Sequence, residues 1–481
     1  MPDPLPVAGK SPSVFDRRPI RDFYEEVREI YRADERPWVI GYSGGKDSTA
    51  TVQVVWLALS KLPPEQRKKP VYVISSDTFV ETPVIVDHID CNLQAMNRAA
   101  KEQGMPFKAY KVVPEVKDTF WVNLLGKGYP APTTRFRWCT ERMKIRPADK
   151  FILDRVAEFG EVVMVLGARR GESATRDQVL KSHEIKGSRL RRHSSLPNAF
   201  VYAPIEDFTT DDVWTYIIQV KSPWGVDNSR LIGMYKSAAS GECPLVVDTS
   251  TPSCGNSRFG CWVCTVVEKD SSMESMVDGG EEWMEPLLDF RNELASHRDP
   301  AIKRKLRQYK RRDGRITRNK QTGQVVPGPY KLEVRKELLR KLLEVQEQVR
   351  STGPDPNAEL ILHEELREIR RIWRMEEQDW EDSVPKIHLE ATGRAIDWVQ
   401  DDVTSFSSGD EELLRNVCDQ HEVPARLVAK LLDLERDMQG MSRRAGIYNK
   451  IDQVFREDWL GDDEAAAIFE SNEETVEERP V

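Results

Sequence analysis

Six consecutive residues, Ser43-Gly44-Gly45-Lys46-Asp47-Ser48, carry the densest chemistry of the chain. Glycines let the backbone turn tightly and approach a ligand closely. A helix that starts behind them presents N–H groups and a positive dipole end to an anion. Ser43 and Ser48 add hydroxyl donors and Lys46 adds a charge, so the chemistry expected here is phosphate binding. The pattern is not a Walker A loop, which needs Ser or Thr after the lysine and a glycine five positions before the second glycine. Asp47 follows Lys46 here, and Ile40 stands at the upstream position.

The elements that must position this loop follow from periodicity. Residues 38–42 form a short apolar run that enters the glycines, and Val52, Val55, Trp56 and Leu59 mark one face of the helix behind them. Further strands are expected over 71–75, 107–113, 161–166 and 200–205, with helices over 84–103 and 146–159. Strands separated by helical patterns predict an α/β fold, a mostly parallel sheet with helices on both faces. Residues 181–195 read as a mobile basic loop, and 237–265, dense in Gly, Pro, Ser and Cys, as an irregular segment. Beyond Ser271 the pattern turns helical, over 332–349, 360–377 and 411–437, the last broken near Pro424. The expected divisions are an extension (1–30), the α/β domain (31–236), a Cys-rich segment (237–270), a helical C-terminal region with a basic stretch (271–465) and an acidic tail (466–481).

Composition sets outer bounds. The chain has 481 residues, 39% hydrophobic and 31% charged, with a net charge of −9. No apolar run approaches the ~18 residues of a membrane span, and residues 1–19 lack the apolar core of a signal peptide. Seven cysteines without a secretory signal fit a reducing, cytoplasmic setting, where clustered thiols bind metal or do chemistry. Residues 301–320 hold ten Lys/Arg against Asp313, and 451–481 hold eleven Asp/Glu against two Arg. Such segments suit a charged partner or each other, and are as readily solvated surface. The basic stretch is compatible with nucleic-acid phosphates.

Ser-Gly-Gly-Lys-Asp-Ser resembles the PP-loop of the ATP pyrophosphatases, adenine nucleotide alpha hydrolase-like enzymes that split ATP between its α and β phosphates. Further motifs resemble the phosphoadenylylsulfate (PAPS) reductase branch. They are Asp77-Thr78 with Glu81-Thr82, and Cys139-Thr140 with Lys144 and Pro147. Gly167-Ala168-Arg169 with Glu172-Ser173 and Arg176 follows, then Pro204-Ile205, Phe208-Thr209 and Asp212-Val213-Trp214. The resemblance covers about 31–220. It implies ATP with Mg2+, held by Ser43, Gly44, Gly45, Lys46, Asp47, Ser48, Asp77, Gly167, Arg169, Glu172 and Arg176. It makes Lys46, Asp47, Cys139, Lys144 and Arg169 the catalytic candidates. Arg169 and Arg176 suit phosphate oxygens in geometry, and Lys144 can neutralise charge that develops during transfer. Assimilatory reductases end in a Glu-Cys-Gly-Leu-His-like tail. This chain has Glu242-Cys243-Pro244-Leu245 and runs on for over two hundred residues, which counts against sulfonucleotide reduction.

Cys243, Cys254, Cys261 and Cys264 lie within 22 residues, with spacing C-x10-C-x6-C-x2-C. Four thiolates can ligate zinc or an iron–sulfur cluster. A single Cys-x-x-Cys pair, uneven spacing and the sulfur-handling resemblance favour a 4Fe–4S cluster. Cys139 stands apart in the sequence, beside Arg135 and Arg137. It reads equally as a persulfide carrier activated by those cations or as a structural thiol, and Cys91 and Cys418 read as helix core.

The full combination resembles the sulfurtransferases of bacterial DNA phosphorothioation. That resemblance implies adenylation of a DNA phosphodiester oxygen with release of pyrophosphate, then replacement by sulfur. It also implies a cysteine desulfurase as donor and DndD- and DndE-type partner proteins. The competing readings are a tRNA thiolase, a divergent sulfonucleotide reductase, and a non-catalytic nucleotide- and cluster-binding regulator.

Overall fold

A computed structural model describes residues 13–170, 185, 187–237, 260–320, 324–398, 408–438, 446–459 and 467. The chain divides into two compact units. One comprises Met1–Glu115 and Arg137–Leu288, the other Val116–Phe136 and Asp289–Val481.

The first unit is α/β. Strands β1 (Trp38–Gly41), β2 (Val71–Ser76), β3 (Phe107–Val112), β4 (Val162–Val165), β5 (Arg191–Arg192) and β6 (Ala199–Tyr202) form one sheet in the order β3-β2-β1-β4-β6-β5. Every pairing is parallel except β5 with β6. Alternate residues feed two cores, as a doubly covered sheet requires. Trp38, Ile40, Val71 and Val73 join one, and Val39, Tyr72 and Ile74 the other. The order reverses between β1 and β4, which places the ligand crevice of an open α/β sheet at their C-terminal ends.

Helices α1 (Ile20–Arg32), α2 (Lys46–Ser60), α3 (Pro83–Glu102), α4 (Arg146–Phe159), α5 (Thr210–Gln219), α6 (Ser229–Ser237) and α7 (Ser271–Asp278) belong to this unit. Two expectations need correction. Arg191 and Arg192 lie in an edge strand of the sheet, where the loop was expected. Arg191 is buried against Glu206 at 2.8 Å, a pair that anchors the segment. Cys91 is exposed on α3, because Ile85, Ile89, Leu93 and Met96 define that helix's buried face. Cys418 is buried, as expected.

The second unit is helical. The helices are α8 (Glu285–Ser296, entering from the first unit), α9 (Pro300–Leu306), α10 (Leu332–Thr352), α11 (His363–Glu376), α12 (Ser383–Thr392), α13 (Ser408–Gln420), α14 (Ala425–Met438) and α15 (Ile447–Asp458). The expected break near Pro424 is real, and Glu422 turns the chain there at φ 53°. Residues 116–136 leave the first unit after β3 and pack here. Trp121 Nε1 donates to the Leu360 carbonyl at 2.6 Å, Trp373 Nε1 to Leu125 at 2.8 Å, and Arg335 Nη1 to Gly126 at 2.7 Å. A short hairpin, β7 (Thr317–Arg318) with β8 (Val325–Val326), completes the regular structure.

Glu365 supplies a test of this core. Its carboxylate accepts from the Leu362 N–H at 2.9 Å at the start of α11, yet burial pushes its pKa up to about 7. The folded form therefore binds a proton that the unfolded chain has lost. Stability is full below the ordinary carboxylate pKa and falls as pH rises toward 7. Glu365→Gln keeps the acceptor without the charge. It should raise stability at pH 8, by up to about 3 kcal/mol, and flatten the slope between about pH 4.5 and 7 in urea titrations. An unchanged slope would show that another group controls it.

Candidate active site

The loop Ser43–Ser48 occupies the crevice that the strand order defines. Gly44 adopts φ +74°, and a Cβ there would sit 2.9 Å from Ile89 Cγ1, so both backbone and space demand glycine. Gly45 caps α2 with no side-chain hydrogen bond. Ser48 Oγ accepts from the Ser43 N–H at 3.2 Å and donates to the Gly45 carbonyl at 3.0 Å, which holds the loop closed on itself. The Lys46 N–H donates to Tyr235 Oη at 3.3 Å, and the Lys46 ammonium lies 5.4 Å from the Tyr235 ring centroid. Lys46 is buried, and its Nζ stands 3.5 Å from Asp47.

The segment after β4 closes the opposite side. A Cβ on Gly167 would meet the Asp47 carbonyl carbon and oxygen at 3.0 Å, so any side chain there would push on the helix start. Arg169 is buried, with Nε 2.5 Å from Asp47 Oδ1 and Nη1 3.2 Å from Thr210 Oγ1. Thr210 opens α5, which a capping box fixes. Asp212 accepts from the Thr209 N–H at 2.8 Å, and Thr209 Oγ1 accepts from the Asp212 N–H at 3.1 Å. The Asp-Val-Trp segment thus builds the helix end that steadies Arg169.

Beyond β2, Asp77 accepts from the Phe79 N–H at 2.9 Å and pairs with Lys111 at 3.0 Å. Glu81 accepts from the Thr78 N–H at 2.8 Å and lies 3.9 Å from Lys144. Glu81 also bridges in sheet fashion to Cys261, and Trp262 N–H donates to the Val80 carbonyl at 2.9 Å. Cys261 Sγ lies 3.5 Å from Thr78 Oγ1, and the Cys264 N–H closes the Cys-x-x-Cys turn on the Cys261 carbonyl at 3.0 Å. Cys139 stands apart in the sequence but not in space: it is near enough to Cys264 for their charges to interact. Burial, then Cys264, push the Cys139 thiol up, opposite to the lowering that neighbouring cations predict, and Arg137 is exposed. Burial pushes the Cys261 thiol up to about 12, with Lys144 opposing it. Lys144 is raised in turn, chiefly by Cys261.

The structure therefore brings Lys46, Asp47, Gly167 and Arg169 together at the loop, and Cys139, Lys144, Glu81, Cys261 and Cys264 together at the end of β2. Glu172, Arg176, Cys243 and Cys254 lie outside the described residues. Among the described residues no three His, Cys, Asp or Glu side chains converge as a metal site. Sequence reasoning missed Tyr235 and Thr210. It also missed His88, a buried imidazole against Gly44 whose ring nitrogens lack a hydrogen-bond partner of normal geometry. Burial, then Arg230, lower the His88 pKa, partly countered by the Gly44 backbone. Nothing in the local sequence pattern separates these three from ordinary core residues.

Residues 37–266 match the phosphoadenosine phosphosulfate reductase domain. Residues 410–456 match a family described as a small protein found in certain Dnd DNA modification systems. Together the two matches support a DndC-like PP-loop sulfurtransferase. The chain is also similar to the uncharacterized protein MJ0066 of Methanocaldococcus jannaschii, 23% identical over 242 residues, which span 50% of this chain and 39% of that one. Among solved structures it is similar to PAPS reductase from Candida auris at 15% identity and TM-score 0.27, covering 44% of this chain and 89% of that one. U34-tRNA thiolase NcsA from Methanococcus maripaludis, with its 4Fe–4S cluster, matches at 15% identity and TM-score 0.26, covering 59% and 80%. No helix among the described residues is long and apolar enough to cross a membrane.

Proposed function

We propose that the chain is the sulfurtransferase of a DNA phosphorothioation system, acting as DndC does. One observation carries this reading: a PAPS reductase domain over 37–266 and a Dnd-system family over 410–456 occur on the same chain. A non-bridging oxygen of a DNA phosphodiester attacks the α-phosphorus of ATP. The bond to the β-phosphate oxygen breaks, and pyrophosphate leaves onto the α2 N-terminus and Lys46. A hydrosulfide-level sulfur, supplied by a cysteine desulfurase and a reductant, then attacks the DNA phosphorus. The P–S bond forms, the P–O bond to AMP breaks, and AMP departs with that oxygen.

The residues have distinct tasks. The Lys46 ammonium and the positive end of the α2 dipole receive negative charge on the leaving group. Asp47 orients Arg169, and Arg169 holds phosphate oxygens. Two of the four cluster thiols, Cys261 and Cys264, are placed on one tight turn beside Lys144, a donor set suited to thiolate ligation. An iron–sulfur cluster held by Cys243, Cys254, Cys261 and Cys264 would supply a binding position for sulfur at the sulfide level. DndD- and DndE-type proteins are the proposed partners, and the cytoplasm the proposed setting.

The test is mass spectrometry of nuclease-digested genomic DNA from cells with the wild-type chain and from a Lys46→Ala strain. Phosphorothioate-linked dinucleotides are expected in the first and absent in the second. Their absence from wild-type cells that express the protein would overturn the DNA assignment.

A further inference from the structure

The second unit contains a cavity of about 600 Å3 that the proposed chemistry does not use. Residues 127–136, α9 and the chain that follows α9 line it. Lys127, Arg298, Lys303, Arg307, Arg311 and Arg312 contribute six cations to its wall against Asp313, and Glu376 pairs with Arg312 at 3.1 Å. Arg307 is buried, and its donors go to backbone carbonyls, Nε to Gly328 at 2.6 Å and Nη2 to Pro327 at 2.5 Å. Burial lowers the Arg307 pKa to about 10, Arg311 adding to it, and Lys303 is lowered by burial and then Arg307. Folding thus gathers positive charge in a concave wall at a cost that an anion would relieve.

The same cavity is aromatic. The Tyr129 and Phe136 rings are parallel to within 10°, with centroids 6.3 Å apart, and both line the cavity. Phe136 is 44% exposed. The Arg312 guanidinium lies 6.0 Å from the Tyr129 ring centroid. Flat rings beside clustered cations form the platform on which single-stranded nucleic acids bind, bases on the rings and phosphates on the cations. The cavity volume suits one nucleotide. A duplex keeps its bases stacked and offers this wall only phosphates.

We infer that this cavity binds an unstacked nucleotide of a DNA single strand, with the base against Tyr129 and Phe136 and the phosphates on Lys303 and Arg311, the buried Arg307 charge behind them. The inference deepens the proposed function and rests on it only for the strand being DNA. The substrate would then be engaged through a locally opened segment.

The test uses the full chain and a fluorescein-labelled oligothymidylate of about twelve nucleotides, followed by anisotropy. The wild type should bind the strand more tightly than a duplex of equal length. Tyr129→Ala should weaken strand binding by about tenfold and leave duplex binding unchanged, whereas Tyr129→Trp should retain it. Lys303→Ala with Arg311→Ala should weaken binding and lower its salt dependence by about two phosphates. Circular dichroism checks that each variant folds. Equal loss on strand and duplex for Tyr129→Ala, or no loss for the paired cation variant, would overturn the inference. So would displacement of the strand by thymidine monophosphate at equal nucleotide concentration, which would mark a site for a free nucleotide. Phosphorothioate in cells together with unaltered binding by these variants sinks the cavity alone. Strand binding through the cavity without phosphorothioate in wild-type cells sinks the DNA reaction alone.

Discussion

Lys46→Ala should lower ATP- and DNA-dependent pyrophosphate release by at least about 100-fold while leaving the fold and the iron and sulfur content intact. Lys46 is only 7% exposed, so its charge acts in a site largely shielded from water. It stands at the first turn of α2, where the positive end of the helix dipole favours an anion. Lysine and helix end together present positive charge where the leaving pyrophosphate gains negative charge. The loss should fall mainly on kcat, because that charge grows in the transition state. Lys46→Arg should not rescue, since the larger guanidinium must fit between Asp47 and Tyr235. A coupled pyrophosphate assay reads the rate. More than a tenth of wild-type turnover in Lys46→Ala would remove the loop from the chemistry.

Asp47→Ala should cost both activity and stability. Asp47 lies 2.5 Å from the Arg169 Nε and 3.5 Å from the Lys46 Nζ. Arg169 is 4% exposed, and stripping one partner from a buried pair costs about 3–5 kcal/mol. A loss near the lower figure is expected, since Asp47 itself is partly open and Thr210 still holds Nη1. The decisive measurement is a double-mutant cycle in urea. Asp47→Ala and Arg169→Ala should each destabilise, and the double variant should lose clearly less than their sum. Additive losses would mean that the pair is not a unit. Arg169→Lys should keep the charge and still lose turnover, because an ammonium cannot reach Asp47 and Thr210 in the same planar geometry.

The sheet and its loop were legible because each rests on local pattern. Trp38, Val39 and Ile40 run into glycines, and the helix begins at Lys46 as the motif requires. The 146–159 helix matches to the residue, with Pro147 in its first turn and Gly160 ending it. What was not legible depends on which core a segment joins. Residues 116–136 contain Trp121, Leu124 and Leu125, an apolar run that fits any interior, and nothing local says that its partners lie from Phe290 onward. Tyr235 and Thr210 reach the site from α6 and α5, each with an ordinary amphipathic pattern around it. The proximity of Cys139 to Cys264 arises only when β2, the segment before α4 and the Cys-x-x-Cys turn converge. A spacing rule along the chain does not contain it.

The detour of 116–136 has a consequence for biosynthesis. Trp121 finds its carbonyl partner on Leu360, 239 positions later. At about 5–20 residues per second, a ribosome needs roughly 10 to 50 s to deliver that partner. Throughout that interval Trp121, Leu124 and Leu125, all fully buried in the finished protein, lack the surface that covers them. The nascent chain therefore passes through a stage with a sticky internal loop hanging from an otherwise completed sheet. Synthesis speed and holdase supply, rather than the stability of either finished unit, should set the yield of native protein.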